Sequence, residues 1–255
     1  MCACRPTSGA LAAQRASNKR SCRRVGDRLI RRYVRWLHHA WSGDYGVHAV
    51  RMIAIVDYGV GNIGALLNMF EYLGVDAQAS GDGQMLMRAE KILLPGVGAF
   101  DKAMSRLRTQ NLVEPLNDAV LRRRVPVLGV CLGMQLLCRR SEEGAEAGLG
   151  WIEADVRRMT VPAGSGLKVP HIGWTDVRPT RDSPLFEPSS EAERFYFDHS
   201  FYVSCDDDKN VTAVIDYGAE LCCALGAGNI SGVQFHPEKS HRYGMRLLKA
   251  FAKQG

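Results

Sequence analysis

From residue 52 onward, short apolar runs alternate with segments whose apolar residues recur three or four positions apart. The runs are rich in branched residues and predict buried strands, whereas the recurring positions predict helices that pack by one face. The predicted strands are residues 53–57, 75–79, 91–94, 125–130, 211–215, 221–225 and 230–235. The predicted helices are residues 65–73, 101–108, 112–124, 132–139 and 241–253. This alternation indicates an α/β fold with a mainly parallel sheet and helices on both faces.

Residues 151–203 do not follow the alternation of strands and helices. Short strand-like stretches are separated there by proline and glycine, which mark turns. The pattern predicts antiparallel strands added at one edge of the sheet.

The N-terminal segment, residues 1–51, has no sustained apolar periodicity beyond a possible basic amphipathic helix at residues 27–39. It is rich in Arg and Ser and poor in acids, so three interpretations compete: an organelle transit segment, a basic arm that touches a membrane or nucleic acid, and upstream sequence joined by a start codon placed too early. We favour the third, because Met52 directly precedes the first predicted strand. We expect this segment to be poorly ordered and residues 52–255 to form one domain.

Charge separates the same two parts of the chain. The formal charge of +6 divides into eleven basic and two acidic residues in the N-terminal segment, a net +9, and 22 basic against 25 acidic residues beyond it, a net −3. The body is therefore mildly acidic and gives no reason to expect a nucleic-acid partner.

Membrane, secretory and metal signals are weak. No run approaches the ~18 apolar residues of a membrane span, and there is no charged-then-apolar secretory leader. Eight cysteines without CxxC pairs predict reduced thiols in the cytoplasm. The histidines are too scattered to form a ligand set, so we expect no metal site.

Residues 126–135, PVLGVCLGMQ, carry the strongest chemical signal. Cys131 lies between Gly129 and Gly133, where a predicted strand turns directly into a helix. Such a corner strains the backbone of its central residue and needs glycines beside it, as in a nucleophile elbow. The helix N-terminus favours a thiolate over a thiol. The alternative is a buried, inert cysteine flanked by loop glycines.

Residues 232–240, GVQFHPEKS, supply the partner groups for such a nucleophile. Residues two apart in an extended segment point the same way, so Glu238 can fix the tautomer of His236 and stabilise its imidazolium. The three residues predict a Cys-His-acid triad. His199 is a second candidate base, but no acid follows it at the right spacing.

Gly59, Gly61 and Gly64 match a dinucleotide fingerprint between a strand and a helix, and Asp82 falls where a ribose contact is expected. A nucleotide-binding module is therefore an alternative function. The pattern is weak, because any tight strand-to-helix turn needs such glycines.

GVCLGMQ together with GVQFHPEKS resembles the class I (triad) glutamine amidotransferases. Further motifs resemble the glutaminase subunit of imidazole glycerol phosphate synthase: DYGVGNIG at 57–64, LLPGVGAF at 93–100, SEEG at 141–144, VPHIGW at 169–174 and FYF-HSFY at 195–202. The resemblance covers Met52 to the C-terminus. It implies a flavodoxin-like α/β fold with the active site at the carboxyl ends of the strands.

The resemblance also implies roles for individual residues. Cys131, His236 and Glu238 would be the catalytic triad. The N–H groups of Val97, after a peptide rearrangement, and of Leu132 would bind the oxyanion. The implied glutamine-binding residues are Gly96, Gln135, Glu143, His199 and Ser200. Glu143 would receive the α-amino group, and the backbone of Ser200 would hold the carboxylate.

The implied partner is a (βα)8-barrel cyclase in a heterodimer, which uses the ammonia to make imidazole glycerol phosphate and an aminoimidazole carboxamide ribonucleotide. No cofactor is implied. The residues implied to face this partner are Asn62, His171, Trp174, Tyr196 and Lys239.

Two residues depart from the family pattern, Thr175 in place of asparagine and Asp198 in place of an apolar residue. Both lie in the partner-facing segments. They leave open a second partner, an enzyme that modifies surface-polysaccharide sugars. A cysteine hydrolase or peptidase with the same elbow is the competing class of enzyme.

Overall fold

The computed structural model describes residues 52–186 and 192–254. The N-terminal segment, with its predicted basic helix at residues 27–39, lies outside the described residues. The strands are β1 (Ile53–Val56), β2 (Ala77–Ser80), β3 (Lys91–Gly96), β4 (Val127–Cys131), β5 (Arg140–Ser141), β6 (Ala154–Arg158), β7 (His171–Pro179), β8 (Glu193–His199), β9 (Phe201–Cys205), β10 (Val211–Asp216), β11 (Glu220–Ala227) and β12 (Ile230–Val233). The α-helices are α1 (Ile63–Tyr72), α2 (Gly83–Arg88), α3 (Phe100–Thr109), α4 (Val113–Asn117), α5 (Leu132–Leu136) and α6 (His241–Lys253).

The main sheet has nine strands in the order β2-β1-β3-β4-β12-β11-β10-β7-β8. The first five are parallel, and the last four are added antiparallel at one edge. The prediction of a mainly parallel sheet with antiparallel additions is confirmed. Neighbours β4 and β12 lie at the centre, and their carboxyl ends lead to Cys131 and His236 respectively.

Two apolar clusters cover the two faces of the sheet, because successive residues of a strand point to opposite sides. Ala54 and Val56 of β1 belong to the cluster that holds α2, α3 and α4. Ile53 and Ile55 belong to the cluster that holds α1 and α6. The near-continuous apolar sequence of the central strands follows from burial on both sides.

A second, three-stranded sheet has the order β5-β6-β9. The expectation that all of residues 151–203 joins the edge of the main sheet was right for β7 and β8 and wrong for β6 and β9. Ala154 and Val156 of β6 and Val203 of β9 pack in the same cluster as Leu132 and Leu136 of α5. The small sheet therefore covers the helix that follows Cys131.

The helices differ from the sequence prediction in three places. Helix α2 was not predicted; the Asp82 carboxylate caps it by accepting from the Gln84 N–H at 2.9 Å. The helix predicted at residues 112–124 is α4 followed by a π-helical turn, Asp118–Arg122. The helix predicted at residues 132–139 ends at Leu136, because the chain enters the small sheet at Arg140. No helix in the described ranges has the length and apolar character needed to cross a bilayer.

Candidate active site

Cys131 lies at a sharp corner between β4 and α5. Its φ is +56°, in the left-handed region that side-chain-bearing residues rarely adopt. A Cβ on Gly133 would lie 1.9 Å from the Leu94 carbonyl oxygen, and one on Gly129 would lie 2.7 Å from the Gly133 oxygen. Both glycines are thus required by close packing, as the elbow motif predicts.

His236 and Glu238 follow β12 at the neighbouring strand end. His236 Nδ1 and Glu238 Oε1 are 2.9 Å apart, and their side chains are 3% and 2% exposed. The His236 backbone is held on both sides: its N–H donates to the Tyr196 carbonyl at 2.9 Å, and its carbonyl accepts from the Ser240 hydroxyl at 2.6 Å. The imidazole is therefore fixed, with Nε2 as the nitrogen that Glu238 leaves free.

The charge of His236 depends on its two neighbours. Burial alone lowers the pKa of its imidazole, but hydrogen bonds with the side chains of Cys131 and Glu238 raise that pKa to about 10. The imidazolium is consequently the predominant form at neutral pH. A positively charged ring therefore lies beside the Cys131 sulfur.

A cavity of about 380 Å³ opens over the Cys131 sulfur. Nine of the residues to which the resemblance assigns a role line it: Val97, Cys131, Leu132, Gln135, Glu143, His199, Ser200, His236 and Lys239. Glu238 lies behind His236 and not in the wall. Gly96 is buried in β3 and does not line the cavity. A Cβ at this position would lie 2.8 Å from the Gly133 nitrogen, so Gly96 allows β3 and α5 to pack closely.

The two acids of the SEEG motif have different surroundings. The Glu143 carboxylate lines the cavity, and its Oε2 accepts from the Phe100 N–H, at the start of α3, at 2.9 Å. Glu142 points elsewhere and accepts from Arg157 and from the Arg158 N–H. The second acid of the pair is thus the one beside the cavity.

His199 is the second histidine of the cavity wall. Its Nδ1 lies 2.8 Å from the Phe201 carbonyl, and its Nε2 lies 3.0 Å from His171 Nδ1. Burial lowers the pKa of His199 to about 4, so the ring is neutral at pH 7. Both nitrogens are engaged, which leaves His236 as the better placed base.

Two residues next to Cys131 were not predicted from the sequence. The Gln234 side-chain nitrogen lies 3.8 Å from the Cys131 sulfur. The buried Tyr58 hydroxyl donates to the Pro95 carbonyl at 2.7 Å, and burial raises its pKa. Gln234 stands two residues before His236, so the period of two that paired His236 with Glu238 could have found it. No local pattern marks Tyr58.

The family of the chain follows from a match over nearly all of this domain. A family model described as glutamine amidotransferase class-I matches residues 54–254. The chain belongs to this family. The motif resemblance and the predicted fold are both confirmed.

Within the glutamine amidotransferases, the chain is similar to HisH subunits of imidazole glycerol phosphate synthase. The chain is 46% identical over 202 residues to imidazole glycerol phosphate synthase subunit HisH 2 of Pseudomonas aeruginosa, covering 79% of this chain and 99% of that protein. It is 44% identical over 203 residues to HisH 2 of Methanococcus maripaludis, covering 80% and 100%. The HisH protein of Bdellovibrio bacteriovorus is 46% identical over 203 residues, covering 79% and 100%.

Solved structures share the amidotransferase fold at low sequence identity. A crystal structure of a glutamine amidotransferase has a TM-score of 0.61 at 18% identity, covering 78% of this chain and 96% of that one. PurLQS from Thermotoga maritima has a TM-score of 0.61 at 19% identity, covering 78% and 96%.

In this amidotransferase, an exposed apolar surface lies beside the cavity. Trp174 is 39% exposed, Ile172 58% and Val97 42%. The Trp174 ring stacks on His241 at 5.5 Å between centroids. The Lys239 ammonium lies 5.2 Å from the Tyr196 ring centroid and 3.7 Å from the Asp198 carboxylate.

Two of the residues implied to face the partner differ in their surroundings. Asn62 is exposed at the start of α1, where its side chain makes no capping hydrogen bond. His171 is only 2% exposed, and its ring stacks on Phe197 and Tyr217 at 4.9 and 4.0 Å. Its side chain therefore lies behind the exposed surface and not on it.

The glycines of the fingerprint-like loop have structural uses in the amidotransferase. Gly59 and Gly61 have φ of +79° and +107°, which only glycine adopts readily. The Asp82 carboxylate caps α2 by accepting from the Gln84 N–H. Both features of the nucleotide-binding alternative therefore have structural uses of their own. In the described part of the chain, no group of three His, Cys, Asp or Glu side chains is arranged to hold a metal ion.

Proposed function

We propose that this chain hydrolyses glutamine to glutamate and ammonia and supplies the ammonia to a cyclase subunit that makes imidazole glycerol phosphate in histidine biosynthesis. One observation carries the chemical part: a strained cysteine, a charged histidine and an orienting carboxylate meet beneath a cavity of about 380 Å³. The relatives named as HisH subunits support the pathway and favour it over the sugar-modifying alternative. Buried free thiols suit a cytoplasmic location.

The first half of the reaction is acyl transfer to sulfur. The Cys131 thiolate attacks the side-chain carboxamide carbon of glutamine, and the carbonyl electron pair moves to oxygen. The His236 imidazolium then gives its Nε2 proton to the amide nitrogen, the C–N bond breaks, and ammonia leaves. A glutamyl thioester remains on Cys131.

The oxyanion of the tetrahedral intermediate needs two donors near Cys131. Leu132 is the first residue of α5, and first-turn N–H groups have no partner within their own helix. Val97 lies across the cavity in a loop whose next residue, Gly98, has φ of +95°. We assign the two backbone N–H groups of Leu132 and Val97 to this role, with a peptide rearrangement at Val97.

The second half of the reaction returns the enzyme to its starting state. Neutral His236 takes a proton from water, and the hydroxide adds to the thioester carbon. Collapse of this intermediate breaks the C–S bond, which returns the Cys131 thiolate and frees the carboxylic acid. The acid loses its proton to solvent and leaves as glutamate, and the first proton stays on His236. Glu238 holds Nδ1 throughout, so that Nε2 faces the reacting atoms.

The cavity wall provides a carboxylate for the α-ammonium group of the substrate and backbone groups for its α-carboxylate. Glu143 offers a carboxylate to the α-ammonium group of glutamine, and its contact with the Phe100 N–H fixes that carboxylate. We assign the α-carboxylate to the backbone at Ser200, with Gln135 and His199 as neighbouring wall residues. Gly96 contributes by letting β3 approach α5 closely.

We assign the exposed surface beside the cavity to the (βα)8-barrel partner, because ammonia released into water would be lost as ammonium. Trp174, Tyr196 and Lys239 form this surface, Asn62 adds to it, and His171 supports it from behind. Trp174→Ala should weaken binding to the cyclase subunit at least about tenfold. Tyr72→Ala, which removes an 85% exposed aromatic residue elsewhere, should leave binding unchanged. Equal effects of the two changes would place the interface elsewhere.

The direct test of the proposed reaction separates the two nitrogen sources. In the complex of this chain with its cyclase subunit, Cys131→Ala should abolish synthesis from glutamine, while ammonium salts still support it. Loss of both activities would contradict the division of labour between the subunits. Peptide cleavage by the isolated wild-type chain would favour the competing cysteine peptidase.

A further inference from the structure

We propose that Gln234 is a positioning residue for the Cys131 nucleophile, and that a buried hydrogen-bond chain ending at Thr175 holds its carboxamide in the working orientation. The inference deepens the proposed glutaminase function and rests on it. It assigns a task to five polar side chains besides the triad: Gln234, Gln135, His199, His171 and Thr175.

The near end of this hydrogen-bond chain is a pair of hydrogen-bonded carboxamides beside the Cys131 sulfur. Gln234 is fully buried, and its side-chain nitrogen lies 3.8 Å from the Cys131 sulfur. Its oxygen accepts from the Gln135 side-chain nitrogen at 3.1 Å. The same Gln135 nitrogen donates to the Phe201 carbonyl at 3.3 Å.

The orientation of both carboxamides follows from one atom that can only accept. The Phe201 carbonyl oxygen requires the nitrogen of Gln135 and not its oxygen. The second N–H of that nitrogen requires the oxygen of Gln234. The Gln234 amide nitrogen is therefore turned toward Cys131. If the Gln234 carboxamide were flipped, its nitrogen would face the Gln135 nitrogen and its oxygen would face the Cys131 sulfur.

The far end of the chain reaches the same carbonyl from the other side. His199 Nδ1 lies 2.8 Å from the Phe201 oxygen, His171 Nδ1 lies 3.0 Å from His199 Nε2, and Thr175 Oγ1 lies 2.8 Å from His171 Nε2. Burial lowers the pKa values of both histidines to about 4, so each ring carries one N–H at neutral pH.

One neutral tautomer of each ring satisfies every contact. His199 must keep its proton on Nδ1, because the Phe201 carbonyl cannot donate, so its Nε2 accepts. His171 then donates from Nδ1, and its Nε2 accepts from the Thr175 hydroxyl. The donors run in one direction from β7 to the Phe201 carbonyl.

Two consequences bear on the reaction. The Phe201 peptide is clamped between His199 and Gln135, and both Ser200 and Phe201 line the substrate cavity. The N–H of Gln234 faces the sulfur, where it stabilises negative charge and limits the positions that the side chain of Cys131 can adopt.

The near end is tested by the reactivity of the sulfur itself. Gln234→Met keeps the length of the side chain without a donor, and Gln234→Glu replaces the donor by an acceptor. Each should slow alkylation of Cys131 by iodoacetamide at pH 7 about tenfold, measured by peptide mass spectrometry. Cys205 is a half-buried thiol that takes no part in this hydrogen-bond chain. It is the internal control and should react at its wild-type rate. Wild-type alkylation of Cys131 in both variants would overturn the proposal.

The far end is tested by a matched pair of variants at Thr175, which is half-buried. Thr175→Val removes the hydroxyl and should slow alkylation of Cys131 about threefold and lower kcat for glutamine similarly, with KM within about twofold. Thr175→Ser keeps the hydroxyl and should restore both. Equal rates for the two variants would overturn the orienting role of the chain. Because alkylation is measured without glutamine, its outcome is independent of whether the proposed reaction occurs.

Discussion

At the scale of single residues, the charge of His236 is the property on which the proposed chemistry depends. Burial opposes a charged imidazole, and the hydrogen bonds from Cys131 and Glu238 outweigh it. Glu238 is 2% exposed, and among the described residues its Oε2 has no hydrogen-bond partner. The carboxylate therefore interacts with the histidine through Oε1 alone. Its removal should change the tautomer and the pKa of His236 before it changes anything else.

Glu238→Gln should lower kcat/KM for glutamine by about 10²–10⁴, because the neutral amide neither fixes the working tautomer as firmly nor stabilises the imidazolium. The pKa of His236 should fall from about 10, so the alkaline limb of the pH–rate profile should move to lower pH. Glu142→Gln is the matched control, since Glu142 pairs with Arg157 outside the cavity. An unchanged alkaline limb in Glu238→Gln would contradict the role assigned to the carboxylate.

At the scale of secondary-structure elements, the site depends on how closely β3, β4 and α5 approach. The corner at Cys131 is possible because Gly133 lets α5 lie against the Leu94 carbonyl of β3. A side chain there must push the helix away from the strand. The sulfur and the Leu132 N–H would then move together relative to His236.

Gly133→Ala should destabilise the chain by about 1–3 kcal/mol and lower glutaminase activity about a hundredfold, because a Cβ would meet the Leu94 oxygen at 1.9 Å. Gly64→Ala is the control in α1, where a Cβ meets nothing within 4 Å. That change should raise the free energy of unfolding by about 0.5–1 kcal/mol. Chemical denaturation of both variants measures the two free energies of unfolding. An unchanged free energy in Gly133→Ala would argue against the close packing of α5 on β3.

The elements that sequence predicted well are those with long, regular patterns. Helix α6 has the predicted bounds. Four of the five parallel strands, β1, β3, β4 and β12, are buried along their whole length, and their apolar sequence shows it. The six-residue α2 was missed because it is too short to show a period. Asp82, which caps it, entered the sequence analysis only as a ribose contact in the weaker nucleotide-binding alternative. The small sheet was missed because strands β6 and β9 show no sign of which sheet they join.

The site was predictable where residues are close in sequence and less so where they meet only in space. The pairing of His236 with Glu238 was predicted from their spacing of two residues. Cys131 was identified by the glycines that flank it. The contact of Gln135 with Phe201 spans 66 residues, and that of His171 with His199 spans 28, so no local pattern contains them. Burial of His171 likewise depends on Phe197 and Tyr217.

At the scale of the whole molecule, two histidines are folded into the interior in neutral form. His171 and His199 are 2% and 6% exposed, and burial lowers both of their pKa values from 6.5 to about 4. Between those values the unfolded chain binds more protons than the folded one. Stability must therefore fall as the pH falls through this window.

The free energy of unfolding should decrease by about 2–3 kcal/mol between pH 6.5 and pH 5, measured by urea denaturation. His236 adds no slope there, because its raised pKa gives stability that is complete below 6.5 and lost only as the pH rises toward 10. His171→Gln should remove about half of the slope, whereas His241→Gln, at an exposed position, should leave it unchanged. A flat wild-type curve would contradict the neutral histidine pair.

The proposed chemistry depends on the Cys131 sulfur being the atom that glutamine acylates. A diazoketone analogue of glutamine labels the nucleophile of such a site irreversibly, and peptide mass spectrometry identifies the labelled residue. We expect one equivalent of label on Cys131, prevented by excess glutamine, with loss of glutaminase activity in proportion to labelling. Inactivation with the label on another residue, or with Cys131 unmodified, would contradict the account.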